Sequence, residues 1–129
     1  MSRAPREAPI YPATHDLLDW LVPHLESWPR PQRFLLVRQV MDSATGFYRL
    51  LLRARKVGGR ERAEALLAAD TELETLKALL RLGQERRYMS LGQYGHVSRL
   101  LGDVGRQLGG WRQSTESKLD AWNRERANE

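Results

Sequence analysis

The chain has 129 residues, of which 21 are Lys or Arg and 16 are Asp or Glu, and it contains no cysteine. This length suits one domain with a single core. The lack of cysteine excludes a disulfide framework, a thiolate zinc site and a thiol nucleophile, and it suits the reducing cytoplasm, where we expect the protein to act. The longest apolar run is the five residues 65–69, so we expect no membrane-spanning or secretory segment.

The basic residues are mostly arginine and are concentrated in one segment. Arginine accounts for 18 of the 21, and its planar guanidinium can grip a phosphate or a carboxylate at two points. Residues 31–60 contain seven basic residues against one acidic residue, whereas the whole chain carries only +5. This bias favours a nucleic-acid or acidic-protein partner, although a GC-rich genome would also enrich arginine. The seven candidate contact residues are Arg33, Arg38, Arg49, Arg53, Arg55, Lys56 and Arg60.

The prolines mark the beginning of the chain. All six lie within the first 31 residues, so we predict a proline-rich leader over residues 1–13 and a break between the first two helices. The first helix is predicted over about residues 14–27, with Thr14 as its N-cap. The second is predicted over about residues 31–56, because proline suits a first helical turn.

Two more helices follow from apolar residues that recur at steps of three and four. The third is predicted over about residues 60–87. The fourth begins with Ser90 and Gln93 in capping-box spacing and is predicted to end near Trp111.

The remaining residues, 113–129, are mostly polar, and we expect a frayed helix or a disordered tail there. Because short connections make neighbouring helices antiparallel, residues 14–112 are predicted to fold as an all-α, up-down four-helix bundle.

One face of the predicted second helix is strongly basic. On a helical wheel with Val40 at the centre of the core, four cations lie within about 40° of the opposite pole. Like charges at this spacing repel each other by roughly 0.2–0.5 kcal/mol per pair, and they are tolerated better beside a polyanion. An ordinary solvated face is the alternative. The four cations, which we call the basic stripe, are Arg38, Arg49, Arg53 and Lys56.

Two helices carry more apolar surface than one bundle face requires. The apolar arc of the second helix extends over roughly 200°, against about 100° for a bundle face. The third helix carries Ala68, Leu79 and Leu82 away from its main apolar stripe. This surplus favours burial against another subunit, with a monomer as the alternative.

Small residues recur along the predicted fourth helix. Each interior glycine costs a helix up to about 1 kcal/mol relative to alanine, so a stripe of glycines favours close approach of another backbone. A weak helix that breaks here is the alternative. The candidate packing or oligomer-interface residues are Gly95, Ser98, Gly102, Gly105, Gly109 and Trp111.

No catalytic or metal-binding motif is recognisable. His15 and His24 are nine residues apart, which places them on opposite sides of a helix, and neither has HExxH-like spacing. The Glu-x-x-His spacing of di-metal bundles is absent, and no strand precedes the glycines as a phosphate loop requires. We therefore expect neither an enzyme nor a cofactor, metal ion or small-molecule substrate.

The landmarks of the fourth helix point to a family. The sequence YGHVSRLLGDVGRQLGGW, from Tyr94 to Trp111, and the tripeptide Trp28-Pro29-Arg30 before the basic helix resemble the Avd-like proteins. These are the accessory variability determinants of diversity-generating retroelements. The resemblance covers about residues 14–112.

The resemblance implies a four-helix bundle that assembles into a homopentameric ring with a basic outer surface. It also implies a protein without catalysis that binds the retroelement reverse transcriptase and its template RNA or RNA/DNA, largely independently of sequence. Related bundle proteins encoded in ribosomal RNA intervening sequences share the fold. A structural oligomeric adaptor of that type, docking on an acidic protein, is the alternative.

Overall fold

The computed structural model describes residues 8–128 of the chain. Within these residues four α-helices follow one another, a 3₁₀ helix lies between the first two, and no strand is present. The predicted all-α four-helix bundle is confirmed. The elements are α1 (Ile10–Glu26), the 3₁₀ helix (Arg30–Phe34), α2 (Leu36–Lys56), α3 (Gly59–Glu85) and α4 (Leu91–Ala127).

The core lies along the axis between the helices. α2 packs on α3, α3 on α4 and α4 on α1, so α2 and α4 lie diagonally opposite each other. Each large apolar side chain that is fully buried stabilises the fold by about 1.5–3 kcal/mol. The core direction predicted for α2, with Val40 at its centre, is confirmed: Val40 is buried together with Leu36, Ala44, Phe47, Leu51 and Ala54 on the same side of the helix.

α1 begins at Ile10, so the predicted start at residue 14 is wrong. Pro12 fits the first turn because its missing N–H would have no intrahelical partner there. Thr14 is buried and is not an N-cap, because its hydroxyl donates to the carbonyl of Ile10 at 2.7 Å. Residues 10–13 of the predicted leader therefore belong to the bundle, and its residues 1–7 lie outside the described part of the chain.

The predicted second helix is divided in two. In the 3₁₀ helix, the N–H of Gln32 donates to the carbonyl of Pro29 at 2.8 Å. The backbone then leaves helical geometry at Leu35, with φ −111° and ψ −99°, and α2 begins only at Leu36. Pro31 fits the first turn of the 3₁₀ helix, where its missing N–H is not needed.

A Schellman motif ends α3. The N–H of Tyr88 donates to the carbonyl of Gly83 at 2.9 Å, and that of Arg87 donates to the carbonyl of Gln84 at 2.8 Å. This pattern places Arg87 in the left-handed region, at φ 63°. After two intervening residues, Ser90 caps α4 with the predicted capping box, which is confirmed.

α4 is longer than predicted. It continues through Gly109 and Gly110 to Ala127, so the predicted end near residue 111 is wrong and the predicted tail is helical as far as the structure describes it. Tertiary contacts explain the continuation. Arg112 pairs with Asp70 at 3.5 Å, and Thr115 is buried. These contacts outweigh the low helix propensity of the two glycines.

Candidate nucleic-acid interface

The basic stripe lies on the solvent face of α2. All four of its residues are exposed, while Val40 on the opposite side of the helix is completely buried. The helical wheel therefore predicted the outward direction of this face correctly. Because α2 ends at Lys56, two of the four cations, Arg53 and Lys56, also lie in its last turn, where positive charge is favourable beside the helix C-terminus.

Most of the basic stripe is free of ion pairs. Arg53 approaches Glu61 at 3.7 Å, but both side chains are more than half exposed, and a pair of this kind contributes about 0–1 kcal/mol. Arg38, Arg49 and Lys56 form no ion pair with any residue between 8 and 128. Nothing within the described chain therefore neutralises them.

The other three candidate contact residues are placed differently. Arg33 is exposed in the 3₁₀ helix, and Arg60 is exposed in the first turn of α3. Arg55 does not join the basic stripe, because its guanidinium lies over the ring of Tyr11, 4.7 Å from the ring centroid. The sequence could not indicate this, since Tyr11 falls in the segment that was predicted to be a leader.

The small residues of α4 do not meet another backbone inside the subunit. A Cβ on Gly102 would contact only the side chain of Arg106 from its own helix, and one on Gly109 would have nothing within 4 Å. At Gly105 the neighbours are side-chain atoms of Lys77 and Leu73, at ordinary distances of 3.6 and 3.7 Å. Within residues 8–128, therefore, no other backbone approaches these small residues closely, and an oligomer interface along them stays a prediction.

The remaining candidates on α4 have other surroundings. Gly95 would meet only the side chain of Arg99, and Ser98 is exposed. Trp111 packs inside the bundle, edge-on to Tyr11 with ring centroids 6.2 Å apart. Its ring also lies under the guanidinium of Arg62 at 6.0 Å. Trp111 therefore helps to hold α4 on α1 and α3.

Two histidines meet around one indole, which the sequence spacing did not indicate. His24 stacks on Trp20 with ring centroids 3.7 Å apart, and His96 lies 5.7 Å from the same ring. The third histidine, His15, is exposed. Within the described part of the chain, no group of three potential ligands is placed to hold a metal ion.

Comparison with protein families shows which family the chain matches. The profile of the bAvd-like family matches residues 10–115, which include α1, α2, α3, residues 91–115 of α4 and the whole basic stripe. The chain belongs to the bAvd-like family. The match begins at the residue where α1 begins, and it ends just after the contacts that fix the middle of α4.

Comparison with solved structures identifies the same fold elsewhere. This bAvd-like chain is similar to a crystal structure from Bacteroides thetaiotaomicron, described as a protein with unknown function from the S23 ribosomal protein family. The TM-score is 0.72 at 16% identity, over 80% of this chain and 97% of the other. At that identity the likeness concerns the fold alone. No curated protein matches the chain.

Within residues 8–128, no helix of the bAvd-like chain combines the length and the apolar character that crossing a membrane demands.

Proposed function

We propose that the protein is the accessory subunit of a diversity-generating retroelement, and that it binds the reverse transcriptase and its template RNA or RNA/DNA during mutagenic copying. It contributes binding and no catalysis. The observation that carries the proposal is the basic stripe: exposed, largely unpaired cations on one helix of a bAvd-like protein. The cytoplasm is the compartment we propose for it.

The geometry of the basic stripe suits a nucleic-acid backbone. Arg38 and Lys56 are 18 residues apart on one helix, which corresponds to about 27 Å, or roughly eight phosphates along one strand. Cations spread along this length would contact phosphates and release condensed counterions. Phosphate contacts of this kind fix position without reading bases, so the binding is largely independent of sequence.

We further propose a homopentamer. Large apolar side chains remain exposed at the end of the bundle where the 3₁₀ helix lies, with Phe34 and Leu91 each 75% exposed. Leu35 and Leu82 are also exposed there. Burial of such residues between subunits is the usual way in which this surface is removed from water. A ring of five chains would repeat the basic stripe five times and carry about +25 in total.

Two charge-reversal variants test the proposed function. Arg38→Glu/Arg49→Glu changes the basic stripe, and Arg99→Glu/Arg106→Glu makes the same change of charge on exposed residues of α4, the diagonally opposite helix. We expect the first variant to weaken binding of a 30-nucleotide RNA by at least about tenfold at 0.1 M salt, because it removes phosphate contacts and adds repulsion. The control should change affinity by less than about threefold.

The same measurement distinguishes the proposed function from that of a structural adaptor. If both variants weaken RNA binding equally, the basic stripe has no special role and only net charge matters. If wild-type protein binds RNA no better than its charge of +5 predicts, the structural adaptor that docks on an acidic protein becomes the better account. Binding of the purified reverse transcriptase by wild type and loss of that binding in the stripe variant would support the accessory role directly.

A further inference from the structure

A groove separates the first turn of α3 from the C-terminal half of α4. It encloses about 490 Å³, and its lining includes Gly59, Arg60, Arg62, Lys118, Leu119 and Trp122. Three of these residues are cationic, and none of the described residues that line it is Asp or Glu. The groove therefore combines positive charge with an aromatic wall, and we call it the tail groove.

Trp122 is the unusual member of the tail groove. It is 52% exposed, whereas Trp28 is buried and Trp20 and Trp111 are half-buried in the bundle. It lies in the stretch of α4 beyond Leu119 where every described side chain is exposed. The guanidinium of Arg126 lies over one face of its ring, 4.7 Å from the centroid. A large ring in this position contributes little to the core, and the part of the indole that Arg126 does not cover is available to a ligand.

The walls of the tail groove are fixed by contacts to the bundle. Nε of Arg62 donates to the carbonyl of Ala54 at 2.9 Å, which joins α3 to the end of α2. On the other side, Leu119 is half-buried and lies next to Gly59, with one methyl group 4.0 Å from the point where a Cβ on Gly59 would stand. α4 therefore lies beside the first turn of α3 along the groove.

Two cations of the tail groove are free to bind an anion. Arg60 and Lys118 are exposed, and neither forms an ion pair with any residue between 8 and 128. They line the same groove as the exposed face of Trp122. A ligand that carries both a flat ring and a negative charge would satisfy all three residues.

We infer that the tail groove binds an unpaired nucleotide of single-stranded nucleic acid, whose base stacks on Trp122 and whose phosphates pair with Arg60 and Lys118. This inference rests on the proposed function and adds to it a preference for single-stranded over double-stranded nucleic acid. A volume of about 490 Å³ accommodates one nucleotide. Base stacking on an aromatic ring tolerates any sequence, but it needs a base whose face is not already covered by its neighbours in a duplex.

The test compares single-stranded and double-stranded ligands. Fluorescence anisotropy of a labelled 20-nucleotide RNA and of its blunt duplex gives two affinities for wild type, Trp122→Ala, Trp122→Phe and Lys118→Gln. We expect Trp122→Ala to weaken single-strand binding by about five- to 150-fold, as alanine substitution of a stacking aromatic does. Duplex binding should change less than about twofold, and Trp122→Phe should retain most of the single-strand affinity. Because Trp122 is exposed, unchanged thermal unfolding is expected for both variants.

Each outcome has a distinct meaning. If Trp122→Ala leaves single-strand affinity unchanged, or lowers the affinity for both ligands equally, the tail-groove inference is overturned while the proposed function stands. If Lys118→Gln weakens single-strand binding together with Trp122→Ala, the stacking site with its phosphate contact is supported. If wild type binds neither ligand, the proposed function itself fails, and the inference fails with it.

Discussion

The indole of Trp28 occupies the space that a Cβ atom on Gly83 would need. Cζ2 of the indole would lie only 2.8 Å from such an atom, closer than real Cβ contacts come. Trp28 is 5% exposed, and the ring of Tyr88 covers it with centroids 5.5 Å apart. The connection after α1 is thereby fixed against the last turn of α3. Glycine at position 83 is required by this contact rather than by backbone dihedrals.

Gly83→Ala should therefore destabilise the protein although alanine is the better helix former. Overpacking against Trp28 costs about 1–3 kcal/mol, which exceeds the gain in helix propensity of up to about 1 kcal/mol. Urea unfolding measures the difference. Gly109→Ala is the matched control, because its new methyl group has open space and should stabilise the fold by about 0.5–1 kcal/mol. Equal effects at the two glycines would contradict the account of Trp28.

A substitution at Arg87, the left-handed residue after α3, should stabilise the protein. Arg87→Gly should raise the free energy of unfolding by about 1 kcal/mol, because glycine adopts φ 63° without the steric cost that a side chain pays. Thermal unfolding should show a midpoint higher by a few degrees, about 2–8 °C. Arg86→Gly is the control, since Arg86 has a helical φ of −80° and glycine brings no advantage there. An unchanged midpoint for Arg87→Gly would show that the left-handed backbone of Arg87 does not destabilise the protein.

The early start of α1 can be tested through Tyr11. Its hydroxyl donates to the carbonyl of Leu51 at 2.9 Å in a buried environment. Tyr11→Phe should cost about 0.5–1.5 kcal/mol of unfolding free energy in urea. Tyr48→Phe provides the comparison, because the half-buried Tyr48 forms no side-chain hydrogen bond to the described residues. If the two variants had the same stability, Tyr11 would not be docked on α2.

Light scattering tests the proposed homopentamer. One chain has a mass of 14.9 kDa, and light scattering of the proposed pentamer at micromolar concentration should give about 75 kDa. Phe34→Glu/Leu91→Glu should reduce that mass, since two charges would have to be buried between subunits. A wild-type mass near 14.9 kDa would contradict the oligomer.

The sequence specified the parts of the fold that depend on local periodicity. The buried faces of α2 and α3 and the capping box of α4 were predictable because apolar spacing and capping are local. The first turn of α1 and the last part of α4 were not, since contacts of Tyr11 and Arg112 with distant residues decide them. The close packing of Gly83 was not predictable for the same reason, because its partner Trp28 lies 55 positions away in the sequence.

The candidate site, like the fold, was only partly predictable from the sequence. The outward direction of Arg38, Arg49 and Lys56 follows from the helical wheel, and the structure places all three in solvent. The stacking of Arg55 on Tyr11 and the meeting of Lys118 with Arg60 in one groove depend on tertiary packing. Sequence periodicity within a single helix carries no information about either contact.

The salt dependence of RNA binding tests the central claim most directly. For wild type and Arg38→Gln/Arg49→Gln/Lys56→Gln, the logarithm of the binding constant is plotted against the logarithm of the salt concentration. If these three residues contact phosphates, the slope should become shallower by about 2, because each lost contact to a single strand removes about 0.7. Arg99→Gln/Arg106→Gln should leave the slope unchanged. Parallel lines for wild type and the stripe variant would contradict the claim that the basic stripe binds the nucleic-acid backbone.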